Sequence, residues 1–264
     1  MSVNSQTGTW SQRPNPSVGG VSAGTESDPL DRHIHLLPRE ALIKTGPVDH
    51  ADWNYKPLLG WIQRQRFQLA QALLPSKPVP RLLEIGYGSG VFMPELSQRC
   101  EELHGVDIHG RNSEVARELA KQGISAQLHV ATTEALPFED HSFDCAIAVS
   151  SLEFVDDVSA ACREVARVLK PHGSFIVITP GHSTAIDLGL TLLTGESARK
   201  DYGGARESLM GGIEQHFRVV QALSFPSMAS EASRLYRAFQ LQPLPSKFQK
   251  KIACSDPESL KRAA

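Results

Sequence analysis

The stretch Arg81–Gly90, RLLEIGYGSG, constrains this chain most, because it runs a buried strand straight into a turn. Leu82, Leu83 and Ile85 show no polar alternation, as expected of a strand covered on both faces in a parallel sheet. Gly86, Gly88 and Gly90 follow, with the acid Glu84 just ahead of them. Glycine accepts positive φ and has no Cβ to hold a ligand away from the backbone. The next residues, VFMPELSQRC, place Val91, Leu96 and Cys100 at helical spacing, with Pro94 early enough to be tolerated. Strand, glycine turn and helix together make a nucleotide-binding start.

The rest of the chain repeats this alternation. Tyr55–Leu74 reads as a helix with Leu58, Ile62, Leu69 and Leu73 on its apolar stripe and Arg64, Arg66 and Gln68 turned to solvent. Beyond the turn come a second strand (Leu103–Ile108), a helix from a capping Asn112 to Gln122, stopped by Gly123, and a third strand (Ala126–Val130). A fourth strand (Asp144–Ser150) leads to a helix capped by Asp156 or Asp157 and running to Lys170, with Val158, Cys162, Val165 and Leu169 buried. Pro171-His172-Gly173 turns into a fifth strand, SFIVITP. Two weak helical patterns (Ala185–Leu193 and Gly204–Gln215) precede two β runs, Phe217–Phe225 and Leu235–Leu241. The expected fold is α/β: a doubly wound, mostly parallel seven-stranded sheet with an antiparallel last strand.

At 264 residues there is room for one such domain with extensions. Residues 1–28 are polar and Gly/Ser-rich and are expected to be a disordered tail; 29–80 form an N-terminal helical cap, 81–242 the ligand-binding domain and 243–264 a flexible tail. A net charge of −2 and a pI near 6.6 carry no global bias toward nucleic acid. Cys100, Cys145, Cys162 and Cys254 form no C-x-x-C pair, so no metal site or disulfide framework is expected, and reduced thiols point to the cytoplasm. The start, MSVNSQTGTW, lacks the regions of a signal peptide, and no apolar run approaches the roughly 20 residues of a membrane span.

Two cofactors compete for the turn. A dinucleotide fingerprint needs a small residue where Val91 stands. The run E-x-G-x-G-x-G from Glu84 to Gly90 instead resembles the first motif of class I S-adenosylmethionine (SAM) dependent methyltransferases. HGVDI, TTEALPFEDHSFD and REVARVLKPHGSFIVITP are similar, in order and spacing, to later segments of that family, nearest its ubiquinone and menaquinone methyltransferases. The resemblance covers about Arg81 to Pro180 and implies a Rossmann-like methyltransferase fold, with SAM as cofactor and a small-molecule or lipid-like acceptor. It places Glu84, Gly86, Tyr87, Gly88 and Gly90 at the methionine arm and Asp107, with Ile108, at the ribose. Thr132, Thr133 and Glu134 fall at the adenine, where the family usually has Asp, and Ser150 and Ser151 at the edge of the fourth strand. Phe154 stands where the family often has histidine.

For a hydroxyl acceptor a base would help, and His182, just past the fifth strand, is the candidate. His50, Asp52, Trp53 and Tyr55 are candidates to cap the cleft, and Arg199, Lys200 and Arg206 to meet an anionic acceptor. Nucleic acid is not expected as acceptor, since the residues after strand four read SSLEF and no RNA-binding module is appended. Three function classes stay open here: a methyltransferase, an NAD-type oxidoreductase, and a non-catalytic SAM- or partner-binding protein on the same fold.

Overall fold

The computed structural model describes residues 33–47, 49–181, 205–227 and 233–245. The expected tail 1–28, the Ala185–Leu193 pattern and most of 243–264 lie outside them. Seven strands form one sheet: β1 (Val79–Ile85), β2 (Cys100–Asp107), β3 (Gln127–Val130), β4 (Phe143–Val149), β5 (Leu169–Pro180), β6 (Phe217–Phe225) and β7 (Tyr236–Pro243). Their order is β3-β2-β1-β4-β5-β7-β6. The first five run parallel, while β7 is antiparallel to both neighbours. Leu83 sits opposite His104 on one side and Ala146 on the other, so β1 is central.

Helices cover both faces, because alternate residues of each strand point to opposite sides. Leu82, Cys145, Ile147 and Ile176 pack under α1 (Pro57–Leu73), α2 (Met93–Leu96) and α3 (Asn112–Lys121). Leu83, Ile85, Ala146 and Val177 pack under α4 (Val158–Val168) and α5 (Ala205–His216). On the first face the Phe67 and Phe92 rings stack at 4.5 Å, with both side chains in the core. This is the doubly wound architecture expected from the alternation of elements.

Local expectations fared differently. Asp157 caps α4, accepting the Ala160 N–H at 2.9 Å, and Gly123 ends α3 at φ +76°. Asn112 is no cap. It is already helical and turns its Nδ2 to the Leu128 carbonyl. The segment after Gly90 makes only the four-residue α2, and Cys100 opens β2 instead of closing a helix. Pairing of Val79 with Cys100 draws the chain back to the start of β1 and leaves no length for more turns. Leu58 is 63% exposed in the first turn of α1, where the buried residues are Leu59 and Gly60, while the rest of the buried stripe (Phe67, Leu69, Ala70 and Leu73) lies in its second half. Arg64 is half-buried, not solvated, and donates to the Asn54 carbonyl at 2.6 Å.

Residues 33–47 and 49–55 are strapped across this face. Leu37 donates its N–H to the Val91 carbonyl at 3.0 Å, and the Tyr55 hydroxyl donates to the Leu37 carbonyl. Glu95, buried on α2, accepts from the His35 N–H, from Gln71 and from Arg99, which hold its carboxyl below its usual range against the cost of burial.

His104 and His129 stack at 5.9 Å on neighbouring strands, edge-on to Phe138. Burial lowers the pKa of both; for His104 the Arg81 charge adds and Glu102 opposes. Imidazoles kept neutral on folding contribute stability that is present above their ordinary value near 6.5 and lost as pH falls below it. Denaturant midpoints should therefore drop between about pH 7.5 and about pH 5. His104→Gln should flatten that slope in part; an unchanged slope would clear His104 of the effect.

Candidate functional site

The strand order reverses between β1 and β4, and an open α/β sheet binds ligands at the carboxyl ends of such a pair. Glu84 and the glycine turn lie at the end of β1, Asp107 at the end of β2, and Ser150 and Ser151 at the end of β4. Gly86, Gly88 and Gly90 have φ of +70°, +52° and +74°. All three share the positive φ that favours glycine, and they differ in what an added Cβ would meet. A Cβ on Gly86 would lie 2.4 Å from Ser151 Cβ, and one on Gly90 3.2 Å from Val115 Cγ1. A Cβ on Gly88 would meet only Thr45 Oγ1, 3.9 Å away, an ordinary contact without overlap.

Asp107 ties the turn to β2. Its Oδ2 accepts the Gly88 N–H at 2.9 Å and its Oδ1 the His109 N–H at 3.3 Å. Glu84 is 4% exposed, and its Oε2 is buried with no hydrogen-bond partner. No turn amide hydrogen-bonds to that oxygen. Burial pushes its carboxyl up to about 8, with the Asp107 charge adding and Arg66 opposing. Tyr87 sits in the core, edge-on to His109, with a buried unpartnered hydroxyl. Burial first, then Asp107 and Glu84, raises its phenol further above the usual range. It presents no open ring face to the cleft.

Ser151 donates its hydroxyl to the Ile85 carbonyl at 2.7 Å, pinning the β4 edge to the β1 edge. Ser150 takes φ +52° and buries an unpartnered Oγ. Ile108 is 75% exposed beside Asp107. Thr132, Thr133 and Glu134 follow the end of β3, where the Ala131 N–H donates to the Asp107 carbonyl. Thr132 is exposed and uses its carbonyl to accept from Ala135. His182, Arg199, Lys200 and the Arg206 side chain lie outside the described residues. Of the proposed cap, His50 stacks on Trp53 at 4.1 Å, Asp52 lies 3.8 Å from Lys56, and Tyr55 is spent on the strap.

Three residues of this site escaped the sequence reading. His109 contacts the turn, and its i+2 spacing from Asp107 was the available signal. Thr45 and Asp49 bond to each other at 2.9 Å and bring the strap to Gly88. No local pattern marks a contact across so much chain.

Comparison with known proteins shows what this core is similar to. Residues 83–177 match the family model described as a methyltransferase domain. Over these residues the chain is similar to methyltransferase domains. The domain is 38% identical over 98 residues to the sterol 4-C-methyltransferase of Caenorhabditis elegans, covering 36% of this chain and 29% of that protein. It is 32% identical over 117 residues to a ubiquinone biosynthesis O-methyltransferase of a Chelativorans species, covering 44% of this chain and 46% of that one. The chain thus spans less than half the length of these curated relatives. In fold it is similar to the geranyl diphosphate C-methyltransferase of Streptomyces coelicolor, with a TM-score of 0.54 and 15% identity over 83% of this chain and 94% of that one. In this sheet β7 is inserted antiparallel between β5 and β6, unlike the 3-2-1-4-5-6 order of dinucleotide-binding sheets. Among the described residues no group of three or more His, Cys, Asp or Glu is placed to hold a metal, and no helix is long and apolar enough to cross a membrane.

Proposed function

We propose that this protein is a SAM-dependent methyltransferase that methylates a small-molecule or lipid-like acceptor at oxygen or carbon. The observation that carries the reading is a positive-φ glycine turn flanked by two strand-end acids, one with an orphaned buried oxygen. These residues fit the cofactor. Asp107 is suited to accept ribose hydroxyls, exposed turn amides to meet a carboxylate, and Glu84 to receive an ammonium group. Ile108 offers an apolar surface to the adenine, and Thr132, Thr133 and Glu134 offer polar groups to its edge. When bound, SAM supplies an electrophilic methyl group. The chain's own part is alignment and proximity, for which no acid–base pair is obligatory. With a hydroxyl acceptor, His182 is the proposed base.

A lipid-like acceptor is supported by the similar proteins named for a sterol and for ubiquinone biosynthesis. It is also supported by apolar side chains at the rim. Trp61 is 51% exposed and meets the Phe225 ring at 5.6 Å, and Phe225 pairs with Tyr236, which pairs with Pro180 at the carboxyl end of β5. A cytoplasmic setting accords with the free thiols of Cys100, Cys145 and Cys162.

The deciding measurement is thermal unfolding with SAM, S-adenosylhomocysteine and NAD. A ligand that binds only the folded chain, at 100 times its dissociation constant, adds about 2.7 kcal/mol. An upward shift with the SAM pair and none with NAD is expected; a shift with NAD alone, or with neither, would sink the reading.

Glu84 makes a sharper expectation. In the free protein its raised carboxyl is protonated near neutrality, and its stabilising effect is lost as pH rises through about 8. An ammonium placed beside it favours the ionised form, so S-adenosylhomocysteine binding near pH 7 should release a proton. Calorimetry in buffers of different ionisation enthalpy reads this directly. Glu84→Gln should abolish the release and weaken binding, and heats independent of the buffer would contradict the assignment.

A further inference from the structure

His109 has no part in the cofactor contacts proposed above, yet it holds the middle of the turn. Its Nδ1 accepts the Arg111 N–H at 3.1 Å, so the ring proton sits on Nε2, and Nε2 donates to the Gly88 carbonyl at 3.0 Å. The imidazole is 9% exposed, lies edge-on to Tyr87, and has Asp107 Oδ2 3.9 Å from Nε2. Gly88 is thereby gripped at both ends, its N–H by Asp107 and its carbonyl by His109.

The Gly88 carbonyl and the Ser89 N–H belong to one trans peptide and point opposite ways. Fixing the first aims the second away from His109. Without that grip little would hold the peptide, since Gly88 has no side chain and an added Cβ would meet only Thr45 Oγ1, at 3.9 Å. Ser89 is 2% exposed and its hydroxyl is buried without a partner, so the same residue carries a second polar group that nothing among the described residues satisfies. A flipped peptide would turn a carbonyl oxygen, not an N–H, toward an incoming anion.

We propose that His109 is a positioning residue that locks the Gly88–Ser89 peptide with its N–H toward the carboxylate of the cofactor's methionine arm. The proposal rests on the SAM reading. It also gives the strap a role, because Arg111, which orients His109, donates from Nη1 to the Lys44 carbonyl at 2.5 Å.

The test compares S-adenosylhomocysteine with 5′-methylthioadenosine, which keeps the adenosine and the sulfur but has no amino or carboxyl group. Affinities are measured for wild type, His109→Ala and His109→Gln, with unliganded melting points alongside. His109→Ala should weaken S-adenosylhomocysteine about three- to tenfold, the range of one net hydrogen bond, and leave methylthioadenosine unchanged. His109→Gln, whose amide can donate from the same place, should recover most of the loss and keeps the test valid if the alanine variant is unstable. Equal losses for both ligands, or no loss for either, would overturn the positioning role. Wild-type protein that binds neither ligand would overturn the SAM reading and this proposal with it; wild-type binding with an unaffected variant overturns this proposal alone.

Discussion

Asp107→Ala should weaken S-adenosylhomocysteine binding by at least a hundredfold while the chain stays folded. One carboxylate is asked to do two things. It accepts the Gly88 N–H at 2.9 Å and the His109 N–H at 3.3 Å, which shapes the turn, and under the proposed function it also accepts ribose hydroxyls. Hydrogen bonds to a charged group contribute about 1.5–3 kcal/mol each, so losing two costs about 3–6 kcal/mol of binding. A factor of a hundred is about 2.8 kcal/mol, the lower edge of that range. Asp107→Asn keeps one acceptor oxygen but loses the charge, and should fall between wild type and alanine. Calorimetric titration of the three proteins reads the series. An alanine variant within threefold of wild type would remove Asp107 from the site.

Gly86→Ala should destabilise the protein by about 2–5 kcal/mol, from two separable sources. The backbone holds φ +70°, and left-handed conformation costs an L-residue about 1–2 kcal/mol. The new methyl would also lie 2.4 Å from Ser151 Cβ, and forcing atoms into a packed site costs about 1–3 kcal/mol. Ser151→Gly separates them. Alone it should destabilise by about 1 kcal/mol, because the hydroxyl bond to the Ile85 carbonyl is lost. Added to Gly86→Ala it should stabilise, because the overlap goes with it. Such a change of sign is a coupling that only neighbouring residues show. Denaturant unfolding of the four proteins measures it, and additive effects would rule out the overlap. Gly88→Ala is the control: its φ of +52° carries strain but no clash, so it should cost less stability and act mainly on ligand binding.

The alternation of apolar runs and helical stripes was enough to predict a doubly wound sheet, because a strand covered on both faces has few other solutions. The turn was equally legible. Three glycines after a strand-end acid imply positive φ and a ligand-facing backbone, and Gly86, Gly88 and Gly90 have that conformation. The cap on α4 was readable because Asp157 bonds an N–H only three residues on. Where a distant partner competes with a local pattern, the sequence pattern alone is not decisive. Asn112 turned to Leu128 across a gap of 16 residues, and the length of α2 was set by the pairing of Cys100 with Val79.

By itself, then, the sequence determined what depends on neighbours in the chain: the strand and helix order, the positive-φ turn, and the acids at the ends of β1 and β2. Only the tertiary structure decided what depends on distance across the sheet. It stripped Glu84 Oε2 of partners, drew Tyr87 into the core, set His109 beneath Gly88 and carried Thr45 to the mouth of the turn. The physical reason is range. Backbone conformation and capping act over a few residues, whereas burial and hydrogen bonding at the site join segments that meet only when the sheet closes.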